Sequence, residues 1–382
     1  MTLLLKNAAL YAPESLGPGS VLIEGKKIAA LYRMGEGTPD VEALDLNGAA
    51  LGPGFIDLHT HGADRVELMD GGQAVVRMAR FYARHGVTGC LPATVTASFE
   101  AVSRAVESAR QAMARPTGGA RVLGVHLEGP FISPQRLGAQ SPEFCVPPTA
   151  ENVARLIEIA GDVARIVTLA PEEEGGIAAI AAFAERGIIV SIGHTVATTE
   201  QAEAAFAAGA SQVTHMFNGM PPLHHRRPGI VGTALTTEGI RIELIADGVH
   251  LHPTAIRMAV AAKGVDDVLL ITDSISATGC QDGEYILGPM KVIVKDGEAR
   301  IESGALAGST LTLERAVTNV ARWTDAGLSG AWQMASLNPA RQLGMDDHAG
   351  RVAPGYDADL SALDAGGQVM MTMVGGEIVY GA

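Results

Sequence analysis

The chain has 382 residues, 47% of them apolar and 18% charged, and carries a formal net charge of −14. Its length can bury a full core and fits one large α/β barrel with a small accessory domain, and its apolar share excludes extended disorder. The acidic balance argues against a general nucleic-acid binder, because counterion release needs a broad basic surface.

Cys90, Cys145 and Cys280 form an odd, scattered set, as expected of thiols kept reduced in a cytosol rather than of a disulfide framework. Lys6, Glu14 and Glu24 interrupt the stretch from Met1 to Gly25, so it lacks the apolar block of a signal peptide. No apolar run approaches the roughly 20 residues of a membrane-spanning helix. The expectation is a soluble, cytoplasmic protein with neither nucleic acid nor membrane as partner.

In chain order, residues 3–11 and 21–28 read as strands separated by glycine turns such as Glu24-Gly25-Lys26. Eight short apolar runs ending in polar residues follow, at 54–59, 87–93, 121–128, 165–170, 188–194, 212–217, 241–246 and 268–273. Between them, segments such as 74–85, 99–114, 153–160, 200–208 and 254–263 carry helical spacing. Eight strands alternating with helices predict a TIM (β/α)8 barrel. An open doubly wound sheet would place a glycine-rich fingerprint after its first strand, where this chain has His59-Thr60-His61-Gly62. Residues 285–302 contain a hairpin signal, Lys295-Asp296-Gly297, and 369–380 is again strand-like. The expected plan is a catalytic barrel over 51–349 and a small β-sandwich from 1–50 and 350–382. The insertion 284–303 is expected to pack beside that sandwich.

Catalytic groups of such barrels sit at the C-terminal ends of the strands. Those positions hold His59 and His61 after the first strand, Glu128 on the third, His194 on the fifth, His215 on the sixth and Asp273 on the eighth. Two residues apart on an extended strand, His59 and His61 point to one side and can reach one cation. A single strand-end histidine is ordinarily a hydrogen-bonded structural residue. Four of them with Glu128, spread over four strands, point instead to a metal centre. Imidazole donors favour zinc or ferrous iron over magnesium.

Pro53-Gly54-Phe55-Ile56-Asp57-Leu58-His59-Thr60-His61-Gly62, His126-Leu127-Glu128-Gly129-Pro130-Phe131, Gly193-His194-Thr195, Thr214-His215-Met216-Phe217-Asn218 and Thr272-Asp273 resemble, in order along nearly the whole chain, the motifs of N-acetylglucosamine-6-phosphate deacetylases. The first His-x-His is common to the wider amidohydrolase superfamily, whereas His-Leu-Glu-Gly-Pro with the later His-x-x-Asn-x-Met-Pro is specific to this family. The resemblance implies that Glu128, His194 and His215 hold the main metal, and that His59 and His61 can hold a second, bridged by Glu128. Either one or two ions are compatible with this donor set, since some family members lack the His-x-His pair. It further implies hydrolysis of the acetamide of N-acetylglucosamine 6-phosphate in amino-sugar metabolism. Asp273 would take a proton from the attacking water and return it to the departing amine. The galacto epimer could share every residue named, and a non-catalytic sugar-phosphate-binding regulator on the same barrel is the alternative from another class. The intact Asp273 argues against that regulator.

Pro221-Pro222-Leu223-His224-His225-Arg226-Arg227-Pro228-Gly229 is a basic loop on an acidic protein, and guanidinium suits a phosphate partner. The resemblance assigns that role to Arg226, acting in the neighbouring subunit's site, and so implies a homodimer. It also implies substrate contacts from Asn218, Gly219 and His250, closure of the pocket by Leu306-Ala307-Gly308, and a backbone contact from Ala139. Gln140 stands where the family commonly has a histidine that hydrogen-bonds the reacting amide, and glutamine can donate but carries no charge. His225 and His252 are expected to be surface residues.

Overall fold

The computed structural model describes residues 2–381. Eight parallel strands form the barrel: Phe55–Thr60, Val87–Thr94, Val125–Glu128, Ala164–Leu169, Ile189–Ile192, Ala210–Val213, Arg241–Ile245 and Val268–Ile271. Each pairs with the next in that order. All eight sequence runs are present. The third is shorter than the run 121–128 predicts, because Gly124 at φ +145° separates the two-residue strand Arg121–Val122 from Val125–Glu128.

Between the first and eighth strands the ladder is replaced by a few bonds near the rim. Asp273 N donates to His59 O at 2.9 Å. Below it the buried Asp57 carboxylate accepts Thr272 Oγ1 at 2.6 Å and Thr272 N at 3.3 Å. A side chain thus satisfies donors that a strand would otherwise pair.

The outer helices follow the periodicity of the sequence. Phe99–Met113 starts at Ser98, whose hydroxyl accepts from Ala101 N, and buries Val102, Ala105, Val106, Ala109 and Ala112 along one stripe. Thr198 and Gln201 form a capping box at the start of Thr199–Ala207. Among the described residues no helix is long and apolar enough to cross a membrane.

The chain termini build one sheet, with strands Thr2–Tyr11, Ser15–Glu24, Lys27–Arg33, Ala43–Asp45, Ala50–Pro53, Leu360–Leu363, Val369–Val374 and Glu377–Gly381. This small β-sandwich has its own apolar cluster, including Leu5, Val21, Ile23, Leu51, Leu360 and Met373. It lies at the N-terminal end of the barrel strands, where Arg121 bonds Asp357 and Asp359. Trp332 is fully buried at the junction: its ring stacks on Tyr11 and its Nε1 donates to Pro53 O at 2.7 Å.

The insertion departs from expectation. Gly283–Leu287, Met290–Lys295 and Glu298–Ile301 form a separate three-stranded antiparallel sheet rather than packing with the termini. Its inward residues Leu287, Val292, Val294, Ala299 and Ile301 share a cluster with Val95, Ile275, Ala277 and Ala307. The reason is position: the insertion leaves the chain just after Asp273, at the end of the barrel opposite the sandwich.

Candidate metal centre and substrate cavity

His59, His61, Glu128, His194, His215 and Asp273 come together, all buried, at the C-terminal mouth of the barrel. Glu128 is central. His194 Nε2 and His215 Nε2 each lie 3.2 Å from its Oε1, and His59 Nε2 lies at 3.5 Å. His61 Nε2 is 3.5 Å from Oε2 and 3.1 Å from Asp273 Oδ1, which His59 Nε2 also approaches at 3.7 Å.

The tautomers follow from the far side of each ring. Nδ1 of His61, His194 and His215 faces the carbonyl of Ala93, Arg136 and Asn218 respectively, and Nδ1 of His59 faces the Glu243 carboxylate. Carbonyls and carboxylates only accept, so each Nδ1 carries the hydrogen, and a ring that gives up its second proton turns a bare lone pair on Nε2 inward. His194 Nε2 and His215 Nε2 stand 3.1 Å apart, and His59 Nε2 is buried with no hydrogen-bond partner. Lone pairs meeting like this beside carboxylates fit a shared cation. Two donor sets could hold one: Glu128 with His194 and His215, and Glu128 with His59 and His61.

The carboxylates make the cluster favour positive charge, carried by ring protons until a cation displaces them. Burial alone would lower the pKa of His61 and His215. The surrounding carboxylates, chiefly Asp273 for His61 and Glu128 for His215, outweigh it and raise each to about 9. Burial would raise Asp273, but the His61 hydrogen bond and the His59 charge bring it down to about 2. Glu128 is held well below the ordinary carboxylate range by His59, His194 and His215, against its burial.

The cluster forms the floor of a cavity of about 410 Å³, within the range of small-molecule sites. Of the residues expected to touch substrate, Ala139, Gln140, Asn218, Gly219, His250, Leu306 and Gly308 line it. Ala307 does not: it is fully buried under the rim and pairs with Ala299. Arg226 lies outside this cavity, exposed, with its guanidinium on His225. His225 and His252 are exposed, and His252 caps the helix Pro253–Lys263.

Two of the lining glycines are sterically required. A Cβ on Gly219, at φ +62°, would sit 3.2 Å from His194 Nδ1. One on Gly308, at φ +57°, would sit 2.7 Å from Asp273 O. His250 donates Nδ1 to Asp247 Oδ2 at 2.7 Å, which leaves Nε2 as its free ring nitrogen. Gln140 is tied on both sides. Its Oε1 accepts Thr96 N at 2.7 Å, fixing the amide so that Nε2 donates to Glu128 Oε2.

Sequence reasoning passed over the shell behind the ligands. Fully buried Glu243 accepts from Gln212 Nε2 at 2.6 Å, His215 N at 3.0 Å and His59 Nδ1 at 3.1 Å. His126, packed on the His59 ring, is not a free ligand: Leu58 O and Thr168 Oγ1 occupy its two nitrogens. The available signal was a charged or polar residue inside an apolar strand, as in Arg241-Ile242-Glu243-Leu244-Ile245, since a buried charge demands partners.

The model of the amidohydrolase family matches residues 50–379. The N-acetylglucosamine-6-phosphate deacetylase of Lysinibacillus sphaericus is 41% identical over 325 residues, spanning 85% of this chain and 84% of the relative. The chain belongs to the amidohydrolase family, among its N-acetylglucosamine-6-phosphate deacetylases. Members of this family are metal-dependent, in keeping with the convergent donors around Glu128. The N-acetylgalactosamine-6-phosphate deacetylase of Escherichia coli O157:H7 is 40% identical, covering 88% of this chain and 90% of the relative. A mutant of the Mycobacterium smegmatis N-acetyl-D-glucosamine-6-phosphate deacetylase, solved with N-acetyl-D-glucosamine-6-phosphate, superposes with a TM-score of 0.93 at 34% identity, over 99% of both chains.

Proposed function

We propose that the protein hydrolyses the acetamide of N-acetyl-D-glucosamine 6-phosphate to D-glucosamine 6-phosphate and acetate. The observation that carries this reading is the meeting of three imidazole Nε2 atoms on one oxygen of Glu128, beside Asp273, on the floor of a sugar-sized cavity. Glu128, His194 and His215 would hold the main divalent cation, zinc or iron by donor chemistry, and His59 and His61 with Glu128 a second. When bound, such a cation supplies Lewis-acid polarisation of the amide carbonyl and lowers the pKa of water.

The remaining chemistry belongs to the chain's own side chains. The histidines beside Asp273 favour its ionised form, which would accept the proton that water loses as its oxygen adds to the acetamide carbon. It then returns that proton to the sugar nitrogen as the C–N bond breaks, so that a neutral amine leaves. His61 Nε2 lies 3.1 Å from Asp273 Oδ1, so the ring flanks the carboxylate that makes these transfers. Asn218, Gly219 and His250 would fix the sugar phosphate, with Ala139, Gln140, Leu306 and Gly308 shaping the rest of the pocket. Arg226, exposed outside its own cavity, would reach the phosphate in a partner subunit of a homodimer.

The galacto epimer is the second reading, favoured by the similarity to the N-acetylgalactosamine-6-phosphate deacetylase. Acetate release from both amino-sugar phosphates, on protein of measured metal content, tests the assignment. Faster turnover of the gluco substrate supports it, faster turnover of the galacto substrate replaces it, and no release from either removes the deacetylase reading.

A further inference from the structure

The cavity that would receive a dianionic sugar phosphate has two carboxylates on its floor, Glu128 and Asp273, in a protein of net charge −14. Among its lining residues only one is a lysine or arginine, and that is Arg300. It stands on the strand Glu298–Ile301 of the three-stranded sheet, where Ala299 and Ile301 are buried and Arg300 is exposed. Side chains alternate along a strand, so the two neighbours that anchor the sheet to the barrel leave Arg300 on the opposite face.

The guanidinium is placed but not saturated. Nη1 donates to Gly304 O at 2.8 Å, and Nη2 and Nε donate to Glu298 Oε2 at 2.8 and 3.2 Å. The Arg300 backbone is bridged to Leu306 on the cavity rim. A guanidinium has five N–H groups. One remains on each terminal nitrogen, and the exposed Glu298 pair is of the kind that holds weakly and exchanges readily. A phosphate bound here would gain a permanent cation with a forked donor geometry.

We propose that Arg300 is the guanidinium with which a subunit holds the phosphate of its own substrate, so that the three-stranded sheet acts as a phosphate-recognition wall of the cavity. The inference rests on the deacetylase reading above. It adds a residue from the same chain to the one that Arg226 would bring from a partner.

The test compares wild type, Arg300→Ala and Arg300→Lys, each at measured metal content, on N-acetylglucosamine 6-phosphate and on N-acetylglucosamine. Loss of a forked, charge-assisted contact should raise KM for the phosphorylated sugar roughly 10- to 100-fold in Arg300→Ala. The value of kcat should change little, and kcat/KM for the unphosphorylated sugar should stay put. Lysine should restore part of the loss. An equal loss on both sugars, or none on either, overturns the proposal. Calorimetric titration with inorganic phosphate is the second readout and does not depend on turnover. Weaker binding to Arg300→Ala than to wild type supports the assignment, and equal or undetectable binding to both refutes it. Absence of acetate release from wild type would instead remove the deacetylase reading, while the phosphate titration would still decide the role of Arg300.

Discussion

Replacing Glu243 by glutamine changes no atom that would touch a metal or the substrate, yet it should weaken metal binding. The carboxylate ends a one-way chain of donors that starts at half-buried Arg241 and is buried from Gln342 onward. Arg241 Nη1 donates to Gln342 Oε1, Gln342 Nε2 to Gln212 Oε1 at 2.8 Å, and Gln212 Nε2 to Glu243 Oε1 at 2.6 Å. The other oxygen accepts His215 N and His59 Nδ1. Arginine can only donate and an ionised glutamate can only accept, so both ends fix the polarity. A glutamine at 243 brings an NH₂ group that must face a donor. Flipping Gln212 and Gln342 only moves the clash along to Arg241. One donor of the chain is left without its acceptor, at up to about 1–3 kcal/mol of stability.

The charge is lost as well. Glu243 keeps the hydrogen on His59 Nδ1 and so presents its Nε2 lone pair, and groups in this position commonly carry 10- to 100-fold in metal affinity. We therefore expect Glu243→Gln to bind zinc about 10- to 100-fold more weakly, measured by competition with a chromophoric chelator, and to unfold at lower urea concentration. A metal Kd within about twofold of wild type would refute the reasoning, whatever the stability change.

Asp273→Asn should lower kcat by about 10²–10⁴, the usual contribution of a positioned acid–base group, with metal content unchanged. Loss of metal instead would give Asp273 a structural role. Chelation should lower Tm, because zinc at about 1,000 times its Kd adds about 4 kcal/mol to the folded state. A Tm indifferent to chelator would mean that the lone pairs around Glu128 hold no cation. Burial pushes the Glu67 carboxyl up to about 7, against its hydrogen bonds from Gly288 N and Ser276 Oγ. The folded chain thus holds this proton more tightly than the unfolded one. Its contribution to stability is present below about pH 4.5 and is lost as pH rises towards 7. Glu67→Gln should flatten that part of the stability curve in urea titrations from acid to neutral pH, and an unchanged slope would refute the assignment.

Much of this was legible in the sequence, for reasons that also mark where legibility stopped. Parallel strands buried on both faces leave apolar runs, and the polar residue closing each run falls where barrel sites lie, so His59, Glu128, His194, His215 and Asp273 stood out. Helix Phe99–Met113 was visible from its stripe and its Ser98 cap. Strand pattern could not reveal Glu243 or Gln212 as supports, because their roles depend on partners 28 to 184 residues away. Nor could it decide where the insertion docks, which the expected place beside the sandwich got wrong. An alternating strand face asks only for apolar cover, which the rim residues Val95 and Ile275 provide as well as the terminal sheet could. Arg300 went unnoticed for the same reason, being a solvated charge until the sheet is placed on the rim.

His194, His215 and Asp273 also share a feature that periodicity cannot express. Each stands two residues beyond the end of its strand, after Ile192, Val213 and Ile271, and each has a left-handed backbone, at φ +47°, +28° and +50°. A residue with a Cβ gives up about 1–2 kcal/mol there, and such conformations persist only where neighbours over-determine them. The neighbours are identifiable. Ser133 N donates to His194 O, Glu243 accepts His215 N, and Asp273 is gripped by His59 O and Ser309 N. Glycine would relieve each kink and remove the side chain that the kink presents, so the strain is retained for what it aims. Glu243 consequently acts twice on the cluster, fixing the ring of His59 and the backbone of His215. That is why its loss should be felt at both candidate cation positions rather than at one.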